Sequence, residues 1–217
     1  MVSKKLICLG YIISFLNFAA KKNNMAKENY KMSFFKKPVT NKKPFKTVTL
    51  FQVYQVIRSN YYTSVITQLR AINNKEEQRM FKGMNLDYIT PSGIFTYDND
   101  NSLVEHSGVL CVDLDNIENV EDVKQKLIRD DNFVTLLLFR SPCGNGLKWF
   151  VAIDSDKFDH KIWFEAVRNY LMATYGLTDK QVDKSCSNVS RACYMSYDPD
   201  AYINEEIFKL SNIIKYE

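Results

Sequence analysis

Two periodicities alternate along the chain. Apolar residues recur three or four apart at Leu50, Val53, Tyr54 and Ile57, and again at Val65, Ile66, Leu69 and Ile72. That spacing predicts amphipathic helices over 50–58 and 63–73, with Thr49 placed to cap the first. Residues 75–82 predict a short charged helix that Gly83 ends. The period then falls to two. Residues 86–97 alternate like strands around Pro91-Ser-Gly93, and Asp98–Ser102 is a polar loop. Gly108-Val-Leu-Cys-Val-Asp-Leu-Asp115 reads as a buried strand. Leu110, Val112 and Leu114 share one face; Val109, Cys111, Asp113 and Asp115 share the other. Asn119 opens a helix to Arg129 with Val120, Val123 and Leu127 on one side. The apolar run Phe133–Phe139 predicts a central strand, Ser141–Gly146 a turn and Leu147–Asp154 a further strand. Asp159 caps a long helix that turns Ile162, Trp163, Ala166, Val167, Tyr170 and Leu171 inward and stops at Gly176. Gln181–Asp183 and Arg191–Tyr197 read as closing strands, and Met32–Lys46 as an extended lead-in.

From residue 108 the order is strand, helix, strand, strand, helix, strand. It predicts an α+β fold with a ferredoxin/RRM-like βαββαβ core over 108–197 and an N-terminal helical and β extension. Such a sheet carries helices on one face and can leave the other open. Its first strand is central, so the two aspartates are expected in the middle of the open face.

Charge divides the chain. Residues 1–46 hold 11 lysines and a single acid, Glu28, leaving 18 basic and 24 acidic residues in the rest. We therefore expect a basic, disordered leader over 1–46 and one domain over 47–217, since no glycine- or proline-rich linker interrupts the body. A cationic leader can hold phosphate backbones without sequence preference. Lys4-Lys5 followed by the apolar stretch to Ala20 resembles a secretory signal. It is too short for a comfortable membrane span, and Met25 and Met32 are alternative starts, so an over-extended start is the expectation. The five scattered cysteines form no Cys-x-x-Cys pair, which argues against a zinc ribbon and fits a reduced, cytoplasmic setting.

Two aspartates on one face of a strand end repel each other unless a cation holds both ionised. Mg²⁺ prefers such hard oxygen ligands. Asn145-Gly146 between apolar runs signals a hairpin; its glycines leave backbone N–H groups free to approach phosphate, and Arg140 and Lys148 flank it. Asp183 sits at the end of a short segment, and Arg191 can reach an anion or pair with Asp183 or Asp198. His106 and His160 are isolated and receive no chemistry. Tyr61-Tyr62 suggests a relaxase, but the double-histidine cluster a relaxase needs is missing.

Together, Val112-Asp-Leu-Asp115, Phe139-Arg-Ser-Pro-Cys-Gly-Asn-Gly-Leu-Lys148 and Val182-Asp183 resemble the three-part signature of the archaeo-eukaryotic primase (primase-polymerase) superfamily. More narrowly, Glu105–Asp115, Leu138-Phe-Arg-Ser-Pro142, Gly146-Leu-Lys-Trp149, Arg191-Ala-Cys-Tyr194 and Tyr197-Asp-Pro-Asp200 resemble the primase-like domain of Bacteroides-type mobile elements, often grouped with VirE N-terminal proteins. The likeness runs from about Thr47 to Asn204. It implies that Asp113, Asp115 and Asp183 hold Mg²⁺ or Mn²⁺. Ser141, Gly144, Gly146 and Lys148 would hold the triphosphate, with Arg140 and Arg191 as further nucleotide-binding candidates. Two such metals, about 4 Å apart, stabilise attacking and leaving oxygens in phosphoryl displacement. The expected partners are a single-stranded DNA template, nucleoside triphosphates and a separate helicase-like ATPase, with no stable membrane association. One departure stands out. Lys148 occupies the place of a histidine common in the superfamily; lysine still neutralises phosphate but is a poorer proton shuttle. Relatives often carry a helicase-like ATPase after this domain, so a fragment, a stand-alone remnant and a partner of a separate helicase are all open. The main alternative is a non-catalytic nucleic-acid-binding module of a mobile element. A haloacid-dehalogenase-type phosphotransferase needs alternating βα units, which the hairpin at 133–154 contradicts.

Overall fold

The computed structural model describes residues 30–205. In chain order these form β1 (Lys31–Phe35), β2 (Lys46–Thr49), α1 (Leu50–Arg58), α2 (Thr63–Ala71), α3 (Lys75–Asn85), β3 (Tyr88–Thr90), β4 (Gly93–Phe95), β5 (Leu103–His106), β6 (Val109–Leu114), α4 (Val120–Ile128), β7 (Thr135–Arg140), β8 (Leu147–Ala152), α5 (His160–Tyr175), β9 (Cys193–Tyr194) and β10 (Tyr202–Ile203). The α+β class expected from the two periodicities is the one observed. The signal-like segment and the rest of residues 1–29 lie outside the described residues. No helix among the described residues is long and apolar enough to cross a membrane.

Local chemistry sets the helix ends. Thr49 accepts a hydrogen bond from Gln52 N–H while the Gln52 side chain accepts one from Thr49 N–H. This reciprocal cap satisfies two otherwise orphaned donors. Asn74 and Asn119 cap α3 and α4 without the return bond, their side-chain oxygens accepting from the N–H groups of Glu76 and Glu77 and of Asp122. Asp159 occupies the cap position of α5 but makes no side-chain cap bond, and Gly176 ends that helix in the left-handed conformation at φ 67°. Gly83 does not end α3, which runs on to Asn85. Its carbonyl accepts from Val39 N–H, and a side chain there would crowd Val39, so a buried helix position facing the 36–41 segment requires the small residue.

Two antiparallel sheets make the body, one ordered β2-β1-β3-β9 and the other β10-β7-β8-β6. In the second, β8 lies between β6 and β7, antiparallel to both, so β6-α4-β7 is a split βαβ. The expected closing strands are arranged differently. Only Val182 reaches the outer edge of β6, as a single bridge to Leu114. Cys193 and Tyr194 pair with β3 in the first sheet, and Tyr202 and Ile203 pair with β7. β6 is therefore nearly an edge strand. β3 and β4 also part company, since β3 joins β1 and β9 while β4 pairs with β5.

Leu110, Val112, Leu114, Trp149 and Val151 pack with Leu127 of α4 and with Trp163, Phe164, Val167 and Leu171 of α5. Both buried indoles donate their N–H, Trp149 to Thr135 and Trp163 to the Asp154 carbonyl, as a buried tryptophan requires. Ile162, expected to point inward, is 55% exposed. The opposite face of the second sheet is not open. Val109, Cys111, Phe139, Phe150 and Ala152 are buried with Met32, Phe34 and Ile89 of the first sheet and with helices α1 and α2. That corrects both the open-face expectation and the leader boundary. Residues 30–46 are placed in the fold, and Tyr30, Met32, Phe34 and Phe35 are core residues. Each such side chain contributes about 1.5–3 kcal/mol by leaving water, which outweighs the neighbouring lysines' preference for solvent because those heads stay outside.

Candidate active site

The bridge between Leu114 and Val182 brings the three aspartates together. Asp183 N–H donates to the Asp113 carbonyl at 3.0 Å, and Asp115 N–H to that of Gln181 at 2.8 Å. Opposed residues of an antiparallel pair share a face, so Asp183 stands beside Asp113. On the other side of β6, Lys148 is Asp113's registered partner. A row of Asp183, Asp113 and Lys148 results, with Asp115 two residues along.

Asp113 and Lys148 are 8% and 7% exposed and form an ion pair through Asp113 Oδ2. Burial alone would lower the Lys148 pKa; the Asp113 carboxylate outweighs it and holds the lysine above its ordinary range. Asp113 Oδ1 is buried without a hydrogen-bond partner. Burial and then the Asp113 charge push the Asp115 pKa up, Asp183 adds to this, and Lys148 and Lys82 oppose it. Asp183 moves the other way. Burial would raise it, but the Ser185 hydroxyl and N–H at 2.6 and 2.9 Å and the Arg191 guanidinium at 2.7 Å hold it below the usual carboxylate range.

A cavity of about 510 Å³ opens over Asp113 and Lys148. Lys42, Lys82 and Arg191 line it as well, and so do Asp98 and Asp100. Both of those acids are engaged: Asp98 pairs with Lys42 at 2.7 Å, and Asp100 accepts from the N–H and hydroxyl of Ser190. Cationic groups exceed acidic ones on the wall by one, but Lys42, Lys148 and Arg191 are each paired, with Asp98, Asp113 and Asp183, so Lys82 is the cation best placed to attract an anion. Lys82 also lies 6.0 Å from the Tyr194 ring centre.

The expected nucleotide-binding set divides. Lys148 and Arg191 line this cavity; Arg140, Ser141, Gly144 and Gly146 do not, being held in the β7–β8 turn. Gly144 N–H donates to the Ser141 carbonyl, Arg140 donates to the Gly144 carbonyl, and Arg70 of α2 donates to the carbonyls of Pro142 and Ser141. Gly144 has φ +88°, which favours glycine. A Cβ on Gly146 would sit 2.1 Å from the Leu114 carbonyl oxygen. This glycine lets the turn lie against the end of β6, which fixes Lys148 opposite Asp113. Ser141 Oγ is buried and unpartnered.

Sequence reasoning missed Arg70, Lys42, Lys82, Asp100 and Ser190. They come from segments far apart in the chain, and none carries a local signal. It also missed the histidine pair. Gly108 N–H donates to His106 Nδ1, His106 Nε2 lies 3.3 Å from His160 Nδ1, and His160 Nε2 lies 3.1 Å from the Cys186 carbonyl. Protons are consistent with this chain only if both rings are neutral, and burial lowers the His160 pKa accordingly.

Among the described residues, no group of three or more His, Cys, Asp or Glu side chains stands ready to hold a metal ion. The donor chemistry nevertheless suits a hard divalent cation at Asp113 and Asp115, one with an orphaned buried oxygen and the other a carboxylate crowded by its neighbours. Asp183 fits less well, since Ser185 and Arg191 already occupy its oxygens.

Fold and site together define an α+β domain in which Asp113 lines a charged cavity, while Asp115 and Asp183 lie outside that lining. The chain belongs to the BT4734-like, N-terminal domain family, whose profile matches residues 81–203, more than half of its length. That span takes in β6, the β7–β8 turn, Asp183 and Arg191. No curated protein and no solved structure matches the chain.

Proposed function

We propose that this domain is a metal-dependent nucleotidyltransferase of the primase-polymerase type. It acts in DNA replication of a mobile element, in the cytoplasm, on a single-stranded template and nucleoside triphosphates, beside a separate helicase-like ATPase. The observation that carries the reading is the row of Asp183, Asp113 and Lys148 with an unpartnered Asp113 oxygen at the floor of a basic cavity. Mg²⁺ or Mn²⁺ held by Asp113 and Asp115 would supply charge neutralisation for phosphoryl transfer. Lys148, Lys82 and Arg191 bind and neutralise the triphosphate, and Asp183 orients Arg191. The test is primer synthesis on single-stranded DNA with Mg²⁺ or Mn²⁺, which the Asp113→Ala, Asp115→Ala double variant should abolish and Asp183→Asn should weaken. Undiminished synthesis by the double variant rules the site out.

A second reading has its own support. Lys148 already neutralises Asp113, and Arg191 neutralises Asp183, so the acids can stand without a cation, as in a non-catalytic nucleic-acid-binding module. Binding that survives chelation, falls steeply with salt and brings no nucleotide incorporation would favour it.

A further inference from the structure

A second cavity, of about 370 Å³, opens where β1 and β2 meet α1, and it shares no lining residue with the first. Its walls are apolar, from Phe34, Val48, Val53 and Met195. Its floor is closed by Asp87, whose carboxylate accepts from the Tyr62 hydroxyl at 2.6 Å and from Lys37 N–H at 2.9 Å. The mouth differs from both. Phe45 and Tyr61 stand there 62% and 69% exposed. The ammonium of Lys36 lies 5.5 Å from the Phe34 ring centre, 5.3 Å from that of Phe45 and 3.9 Å from Asp87 Oδ2, and Lys46 lies 5.8 Å from Phe34.

Charge selects the occupant. Lys36 already offsets the Asp87 carboxylate, and Lys36 and Lys46 already stand by the Phe34 and Phe45 rings, so the cavity offers a cationic guest little. Residues 31–46 carry six lysines and no acid, a basic strip longer than one phosphate needs. We infer that this cavity takes a base of single-stranded nucleic acid, stacked at Phe45 and Tyr61, with the flanking phosphates on Lys36 and Lys46. Aromatic platforms set in a cationic groove bind single strands in this way because every base offers a π-face. A duplex keeps its bases stacked and cannot present one. The inference does not rest on the nucleotidyltransferase reading, because it uses neither the aspartates nor a metal.

The test is fluorescence anisotropy of the full chain with a labelled oligo-dT of about 12 nucleotides, in EDTA. Phe45→Ala and Tyr61→Ala should each weaken binding roughly five- to a hundredfold, the range that loss of one stacked base gives. Lys46→Glu should weaken it and flatten its salt dependence. An abasic oligomer and a duplex should both bind more weakly. These three substitutions lie at exposed positions, and a circular-dichroism melt confirms that each variant folds. Wild-type affinity in both aromatic variants, or equal affinity for the abasic strand, would overturn the inference. So would an absence of DNA binding together with a Tyr61→Ala loss of self-association in sedimentation, which would assign the cavity to a second copy. Absence of primer synthesis by the wild-type chain, with binding intact, would count against the nucleotidyltransferase reading alone.

Discussion

Replacing Lys148 with methionine removes one charge of a buried pair while keeping most of the side chain's length and apolar stem. Asp113 stays where it is, 8% exposed and opposite the missing ammonium. Its Oδ1 has no partner to begin with, so the variant leaves both carboxylate oxygens without compensation. Breaking a buried ion pair from one side costs about 3–5 kcal/mol, a large share of the roughly 5–15 kcal/mol that holds a domain folded. With a urea m-value of about 2–3 kcal/mol/M, the midpoint should fall by about 1–2.5 M. Asp113→Leu combined with Lys148→Met should recover most of that loss, because an apolar pair of similar volume removes the desolvation cost as well. The pH dependence has a definite sign. Lys148 has its folded pKa raised, so the pair's contribution is fully present at neutral pH and falls only as pH rises beyond about 10. Urea unfolding of wild type, both single variants and the double variant gives the coupling directly. A Lys148→Met variant within about 1 kcal/mol of wild type would refute the reasoning, as would a double variant as unstable as the single. If Asp113 and Asp115 bind a divalent cation, millimolar Mn²⁺ should raise the midpoint of Lys148→Met more than that of wild type.

Three further outcomes follow from the geometry. Gly146→Ala should cost about 1–3 kcal/mol by chemical denaturation, since its Cβ would meet the Leu114 carbonyl at 2.1 Å and push the turn off β6. The lowered His160 pKa means that the unfolded chain binds more protons just below the ordinary histidine value. Stability should therefore fall as pH drops from about 6.5, and His160→Gln should flatten that limb of the stability curve between about pH 6.5 and 5. The charges of Asp100 and Asp159 act to raise the pKa and so soften the effect. Thr49→Ala should lower stability by about 1 kcal/mol, read in the same unfolding assay, because it opens the reciprocal cap with Gln52.

Local signals were read correctly where one element decides the outcome alone. The capping residue and period of α1 were plain, and so was the division of β6 into a Leu110-Val112-Leu114 face and a Val109-Cys111-Asp113-Asp115 face. The β7–β8 turn was legible from Asn145-Gly146. The reading failed where a distant partner decided. Met32 and Phe34 lie in a lysine-rich stretch whose average charge resembles a solvated leader, yet their alternation with Ser33 and Phe35 fits a strand buried on both faces. Gly83 has the form of a helix stop, but close packing against Val39 explains it better. Ile162 falls on the predicted inner stripe of α5 and is exposed, because a stripe does not reveal how wide a surface the sheet offers it.

At the site, the sequence by itself determined that Asp113 and Asp115 point the same way, because side-chain alternation is a property of one strand. It also determined that a tight turn precedes Lys148. Only the tertiary structure decided that Lys148 is Asp113's partner, that Asp183 bridges in beside it, and that Lys42, Lys82 and Ser190 wall the cavity. Those neighbours are fixed by strand register and by which layer covers the sheet. Both depend on the summed burial of apolar residues from the whole fold, which no single segment encodes.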